Sequence, residues 1–240
     1  MRAVDARLEL LLEDGRVVKI AGLDPPRPTP DAPELDEEAA REAGERLVGR
    51  EIVLAPLYTA PDRWGRVVAE VFAPAPGGAA TASIAGGLLR AGLGRVEAGA
   101  AARRCRAYLL GEEAAARAAR LGVWADPYYA VLRPADRAGF AERAGTLAIV
   151  EGEVVGIEVS DFRTTLTFGE RRGQAFSIVV AARNLKRFSA AGVDLAALRG
   201  KIVRARGLVD LRFGPQIEIE EPGEIEASAP GAADGRADAR

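Results

Sequence analysis

Carboxylates and guanidinium groups are the side chains of this sequence that could carry out chemistry. The 240 residues include no histidine, which excludes Ser-His-Asp and Cys-His triads and histidine-ligated zinc. The single cysteine, Cys105, excludes an intramolecular disulfide and a multi-cysteine metal site. Arg103, Arg104 and Arg106 surround Cys105 and favour a low thiol pKa, although a lone cysteine more often has a packing role. Acid, base or phosphate chemistry therefore depends on Asp, Glu, Lys and Arg.

The net charge bears on which partners the protein can bind, and the hydropathy bears on the cellular compartment in which it lies. The formal net charge is −2, whereas a dedicated non-specific nucleic-acid binder carries a clear positive excess. A local basic patch remains compatible with this value. No run approaches the roughly 20 apolar residues of a membrane span, and no signal-peptide core follows Met1. The sequence as written predicts a cytoplasmic protein, or a periplasmic or secreted one if an export signal has been removed.

The first half alternates short apolar runs with helical segments. Asp14-Gly15 between two apolar runs, 8–12 and 17–23, predicts a β-hairpin. Five prolines between residues 25 and 33 then predict a loop. The sequence further predicts, in order, a helix over 36–47 with Asp36 as its N-cap, strands over 51–57 and 67–72, and helices over 81–91 and 101–121.

The second half has a strand-rich pattern. Residues 127–145 contain two prolines and predict a linker between a domain at 1–126 and another at 146–227. A tail at 228–240, rich in Ala, Gly, Asp and Arg, predicts disorder. Strands are predicted over 147–159, 164–168, 174–181, 201–209 and 215–220, with a short basic helix over 183–191. Five strands with a helix between the third and fourth are typical of an OB-fold barrel.

Three segments of the first half resemble the thermonuclease, or staphylococcal nuclease-like, family in the family's own order. They are VKIAGLDPP at 18–26, DRWGRVVA at 62–69, and LLRAGLGRV at 88–96, which is followed by a helix and LGVW at 121–124. The resemblance covers roughly residues 4 to 126. It implies an OB barrel capped by helices. With the five-stranded OB-fold-like barrel that the strand pattern predicts for the second half, the expected fold class is α+β, mainly β with helices.

The resemblance implies a site for metal-dependent phosphodiester hydrolysis. Enzymes of this family use calcium held by carboxylates, a glutamate near the attacking water and two arginines on the phosphate. The cation screens the charge of the transition state, and the arginine forks donate to phosphate oxygens. Carried over position by position, Asp24 is the candidate metal ligand and Arg66 the candidate catalytic arginine.

The other positions of that site depart from the family. Arg7 stands where a second carboxylate is expected, and strand alternation turns the nearby Asp5 to the other face. Lys19 replaces the first arginine and lacks its bidentate fork. Arg27 replaces the glutamate, a charge reversal that favours an ion pair with Asp24. The sequence therefore predicts an inactive nuclease site, with a calcium-dependent endonuclease-like enzyme of rearranged site as the alternative.

The second half resembles bacterial OB-fold domains of the nucleic-acid-binding type, in LRGKIVRARGLV at 198–209 and GPQIEI at 214–219. The candidate nucleic-acid-binding residues are Trp64, Arg66, Lys186, Arg187, Arg204, Arg206 and Arg212. Trp64 either stacks on a base or packs on the barrel. Phenylalanines 162, 168, 176 and 213 either stack or belong to the core, and several glutamates near residues 218–226 offer a solvated mixed surface as the alternative.

Three functional hypotheses follow. The favoured one is a pseudoenzyme that binds single-stranded DNA or RNA weakly, or binds a protein. The second is the active calcium-dependent phosphodiesterase, and the third is an interaction protein with no nucleic-acid role. The first hypothesis is favoured because three replacements, including a charge reversal, occur together, and no replacement ligands are evident in the sequence.

Overall fold

The computed structural model describes residues 1–74, 81–169 and 175–227. The chain divides into two compact units, Met1–Ala130 and Val131–Arg240. No helix within the described ranges is long and apolar enough to cross a bilayer.

The first unit consists of short strands and three α-helices. The chain first forms β1 (Ala3–Val4), β2 (Leu10–Leu11), β3 (Val17–Ile20) and β4 (Leu23–Asp24). It continues through α1 (Leu35–Leu47), β5 (Val53–Pro56), β6 (Val67–Pro74) and β7 (Thr81–Ser83). It then forms α2 (Ile84–Arg90), β8 (Arg95–Val96) and α3 (Arg106–Ala118).

The main sheet of this unit has the strand order β1-β2-β3-β6-β5, with β7 paired to β6. All pairs are antiparallel except β3 and β6, which run parallel. Apolar side chains from the sheet and from all three helices form one core, which includes Leu10, Val18, Ala43, Leu89 and Leu109. A separate short pair, β4 and β8, lies outside this sheet and carries the residues of the candidate site.

The second unit repeats the same strand order on different residues. It contains α4 (Arg137–Glu142), β9 (Leu147–Glu153), β10 (Gly156–Val159), β11 (Arg163–Thr167) and β12 (Ser177–Ala181). These are followed by α5 (Leu185–Ala190), β13 (Ile202–Asp210), β14 (Gln216–Glu218) and β15 (Ile225–Ala227). Five of its strands, in the order β10-β11-β12-β14-β13 with β12 and β14 parallel, correspond to the strand order of the first unit, while β9 and β15 both pair with β13. This arrangement is consistent with an OB-like fold.

The predicted strand 147–159 is divided in the structure. Its first part, β9, pairs with β13, and its second part, β10, pairs with β11. The change of partner occurs at two consecutive residues: the amide of Val154 donates to Lys201 O, and the amide of Val155 donates to Thr167 O. One continuous stretch of chain therefore pairs with β13 through β9 and with β11 through β10.

Some helices and the linker differ from the sequence prediction. Helix α1 begins at Leu35 after Glu34, and no side chain caps it, so Asp36 is not its N-cap. The predicted helix 101–121 starts as a 3-10 turn and becomes α-helical only at Arg106. Residues 127–145 hold a 3-10 turn and α4, and Phe140 of α4 stacks on Phe176 with ring centroids 5.0 Å apart. The predicted tail at 228–240 lies outside the described residues.

Candidate functional site

Asp24 lies at the end of β4, where the paired strand presents a guanidinium group. In the antiparallel pair β4–β8, Asp24 is the register partner of Arg95. Arg95 Nη2 donates to Asp24 Oδ2 at 2.8 Å, and Arg27 Nη2 lies 3.9 Å from Asp24 Oδ1. The side chains of Arg95 and Asp24 are only 3% and 12% exposed. Each oxygen of the Asp24 carboxylate therefore faces a cation of the protein itself, the buried Arg95 on one side and the 46% exposed Arg27 on the other.

Arg66 closes the turn at residues 62–66 and is held by two carboxylates. Asp62 Oδ1 accepts from the amides of Trp64 and Arg66, both at 3.0 Å, and Asp62 Oδ2 accepts from Arg66 Nε at 2.9 Å and Nη2 at 2.7 Å. Arg66 Nη1 also pairs with Glu9. The Arg66 guanidinium holds the pKa of Asp62 down at about 2, and the same contact raises the pKa of Arg66. Arg66 therefore has a structural role in the turn.

We expect the Asp62 carboxyl to remain ionised at pH 3. Because its folded-state pKa is depressed, its contribution to stability is present above the ordinary carboxyl pKa of about 4 and is lost as pH falls through about 2. Carbon-detected NMR titration of the carboxyl group measures this directly. In Arg66→Ala the midpoint should return towards about 4. A wild-type midpoint near 4 would show that the contact is weak in solution.

Trp64 is the apex of the same turn and is exposed. Its side chain is 63% accessible. The guanidinium carbons of Arg63 and Arg66 lie 3.9 Å and 4.7 Å from its ring centroid, within cation–π distance. The indole is therefore not packed into the barrel, and it combines an aromatic surface with positive charge.

Lys19 and Asp5, at or near other positions of the inferred nuclease site, have partners other than Asp24. Lys19 forms an ion pair with Glu97. Asp5 stays with its own turn, where Oδ1 accepts from the amides of Arg7 at 2.9 Å and Glu9 at 2.8 Å. Among residues 1–74, 81–169 and 175–227, no three or more His, Cys, Asp or Glu side chains form a group that could hold a metal ion.

The arginines of the second unit are largely engaged by acidic side chains. Arg204 pairs with Glu151 at 2.6 Å. Arg206 is 1% exposed and lies 3.5 Å from Glu226. The other two candidate arginines are also paired, Arg187 with Glu221 at 3.1 Å and Arg212 with Asp210 at 2.7 Å. Because burial and pairing hold Arg204 and Arg206 in the fold, the sequence interpretation of these two as groove cations gains no support from their placement.

Lys186 and two phenylalanines of the second unit remain accessible. Lys186 is exposed on α5, and no ion pair joins it to another residue in the described ranges. Phe162 and Phe213 are 84% and 77% exposed, on the connections before β11 and before β14. Phe176 is fully buried, and Phe168 packs on it at 5.1 Å between centroids. The four phenylalanines thus divide between surface and core.

The sequence interpretation missed Arg95 as a partner of Asp24. The two residues are 71 positions apart, and only the β4–β8 register brings them together. Gly94 is the sequence feature that could have indicated this pairing, because a Cβ at that position would lie 2.8 Å from Asp24 O. The glycine of the LGR segment thus marks a close approach of the two strands.

Cys105 has none of the features of a reactive thiol. Its Sγ lies 3.1 Å from Glu70 Oε1. Burial and the Glu70 carboxylate raise the pKa of the Cys105 thiol to about 11, despite the neighbouring Arg104. The packing interpretation of this residue agrees with that environment.

Comparison with known proteins identifies the first unit. Residues 17–126 match the sequence model of the staphylococcal nuclease homologue family. A search among curated proteins finds no match to the chain. The first unit is therefore similar to the staphylococcal nuclease homologue family over these residues.

Proposed function

We propose that the nuclease-like domain does not cleave phosphodiesters and that the protein acts as a binding module. The observation that carries this proposal is the environment of Asp24. Its two carboxylate oxygens face Arg95 and Arg27, so the negative charge that would attract a divalent cation is already neutralised. A calcium ion would also lie close to two guanidinium groups, which would repel it.

The donor set around Asp24 does not fit calcium for a second reason. Calcium takes six to eight oxygen ligands, which carboxylates usually contribute. Asp5 is occupied by its own turn, and Arg27 stands at the position where the family places its glutamate. Arg66, the remaining family arginine, is held by Asp62 and Glu9 and would have to release both to bind a phosphate. These features support the loss of catalysis.

The exposed indole of Trp64 is the best candidate for contact with a single-stranded nucleic acid. An accessible aromatic ring beside the guanidinium group of the exposed Arg63 offers stacking on a base and attraction to the adjacent phosphate. The acidic partners of the second unit's arginines reduce its positive potential, which makes that unit the weaker candidate. With a net charge of −2, binding should be weak and sensitive to salt.

A fluorescent single-stranded oligonucleotide titrated at low salt tests this proposal. We expect Trp64→Ala to weaken binding at least about fivefold, since stacking of one base contributes roughly 1–3 kcal/mol. Lys186→Ala, the matched surface change in the second unit, should alter binding less than about twofold. At matched concentrations calcium and magnesium should weaken binding equally, because both compete for the phosphates and the described residues offer no group of carboxylates selective for calcium.

The outcomes separate the remaining hypotheses. If the wild type does not bind at low salt, or Trp64→Ala binds as well as the wild type, the nucleic-acid role of this turn is wrong. A protein-interaction role would then become the leading hypothesis. If Lys186→Ala has the larger effect, the contact runs through the second unit.

A further inference from the structure

The loop that follows Asp24 contains few backbone donors. Five of the nine residues at 25–33 are prolines, so only Arg27, Thr29, Asp31 and Ala32 carry an amide hydrogen there. Three of these amides are hydrogen-bonded: that of Thr29 to Ala32 O, that of Ala32 to Thr29 Oγ1, and that of Arg27 to the hydroxyl of Tyr129. The loop is therefore fixed by very few contacts, and one comes from more than a hundred residues away.

Tyr129 contacts the loop through its hydroxyl and the candidate site through its ring. Its Oη accepts from the Arg27 amide at 2.8 Å and donates to Arg27 O at 3.2 Å. The guanidinium carbon of Arg95, which pairs with Asp24, lies 4.8 Å from the Tyr129 ring centroid. Tyr129 is 2% exposed, and burial raises the pKa of its phenol, so the hydroxyl keeps the proton that it donates.

Asp126 holds both this turn and the loop. One of its carboxylate oxygens accepts from the amide of Tyr128 at 2.8 Å and caps the 3-10 turn that carries Tyr129. The other carboxylate oxygen accepts from the hydroxyl of Thr29, and Thr29 is only 4% exposed. A single carboxylate therefore couples the position of Tyr129 to the position of the loop.

We propose that residues 126–129 act as an intramolecular clamp that locks the loop after Asp24 and covers the Arg95–Asp24 pair. Tyr129 satisfies both backbone groups of Arg27 and packs against Arg95, while Asp126 fixes Thr29. Asp126 is the last residue of the segment that matches the family, and Tyr129 lies just beyond it. The proposal concerns the fixing of the loop, so it is independent of whether the domain cleaves phosphodiesters.

Amide hydrogen exchange of the full chain, resolved by NMR, tests the clamp. Tyr129→Phe keeps the ring and removes the hydroxyl. We expect it to accelerate exchange at Arg27 about threefold to tenfold, the factor that corresponds to one hydrogen bond. Exchange at Val18 in the core strand β3 should stay unchanged. Asp126→Ala should accelerate exchange chiefly at Thr29 and Ala32.

Tyr58→Phe is the matched control, because Tyr58 lies in the same unit and is 58% exposed. It should leave every one of these rates unchanged. An Arg27 amide that exchanges in the wild type as fast as an unprotected one would overturn the proposal, as would an unchanged Arg27 rate in Tyr129→Phe. Equal acceleration at Arg27 and Val18 would also contradict it, because that pattern indicates opening of the whole unit.

Discussion

Arg95→Ala is expected to lower the free energy of unfolding of the first unit by about 3 kcal/mol. Arg95 is almost fully buried, and it is the close partner of a carboxylate that is itself 12% exposed. Removing one member of a buried ion pair leaves the other charge with little compensation, which commonly costs about 3–5 kcal/mol. We expect the lower end of that range, because Arg27 still lies 3.9 Å from Asp24.

Urea unfolding followed by tryptophan fluorescence measures this loss. Both tryptophans of the sequence, Trp64 and Trp124, belong to the first unit, and Trp124 is the buried reporter. Arg95→Lys is the matched control. Its free energy of unfolding should fall less than that of Arg95→Ala, because lysine keeps the positive charge although it lacks the bidentate guanidinium group. The double variant Arg95→Ala/Asp24→Ala should be less destabilised than the sum of the two single changes. Additive losses would show that the two residues do not interact.

Gly122→Ala should destabilise the first unit by more than about 3 kcal/mol. Gly122 has φ of +51°, and a Cβ there would lie 2.2 Å from Gly92 O. A methyl group at that distance forces apart two backbone segments that the Val123 amide joins to Gly92 O at 2.9 Å. Steric conflict with backbone and a left-handed conformation both add to the cost.

Gly49→Ala separates these two contributions. Gly49 has φ of +77°, and nothing lies within 4 Å of the position of its Cβ. Gly49→Ala should therefore lower the free energy of unfolding by only about 1 kcal/mol, the cost of a non-glycine residue in the left-handed conformation. Equal losses for Gly49→Ala and Gly122→Ala, measured by the same fluorescence assay, would mean that the two segments are not in contact.

Most strands of both units, but not their pairing order in the sheets, followed from local features of the sequence. Alternation and turn residues define the strands, and the helix between β12 and β13 marks the OB-like order. The boundary between β9 and β10 could not be predicted, because Val154 and Val155 continue the same apolar pattern while their hydrogen-bond partners change. The 3-10 start before α3 was equally hidden, since its alanines favour an α-helix.

The site was predictable only where its contacts are local. The family resemblance places Arg27 near Asp24 and predicts their ion pair, which is present at 3.9 Å. The stronger contact, from Arg95, depends on a strand register between distant segments. Pairing of Arg204 with Glu151 likewise arises from the register of β13 with β9. Sequence alone identifies such arginines as cations, but it does not show that the fold already neutralises them.

A cleavage assay tests the absence of catalysis most directly. The purified protein is incubated with single- and double-stranded DNA and RNA in the presence of calcium, magnesium or manganese, beside an active metal-dependent nuclease as positive control. We expect no metal-dependent cleavage above background by the wild type, and no difference between the wild type and Asp24→Ala. Metal-dependent cleavage that Asp24→Ala abolishes would contradict this account, because it would show that Asp24 serves a metal ion rather than Arg95 and Arg27.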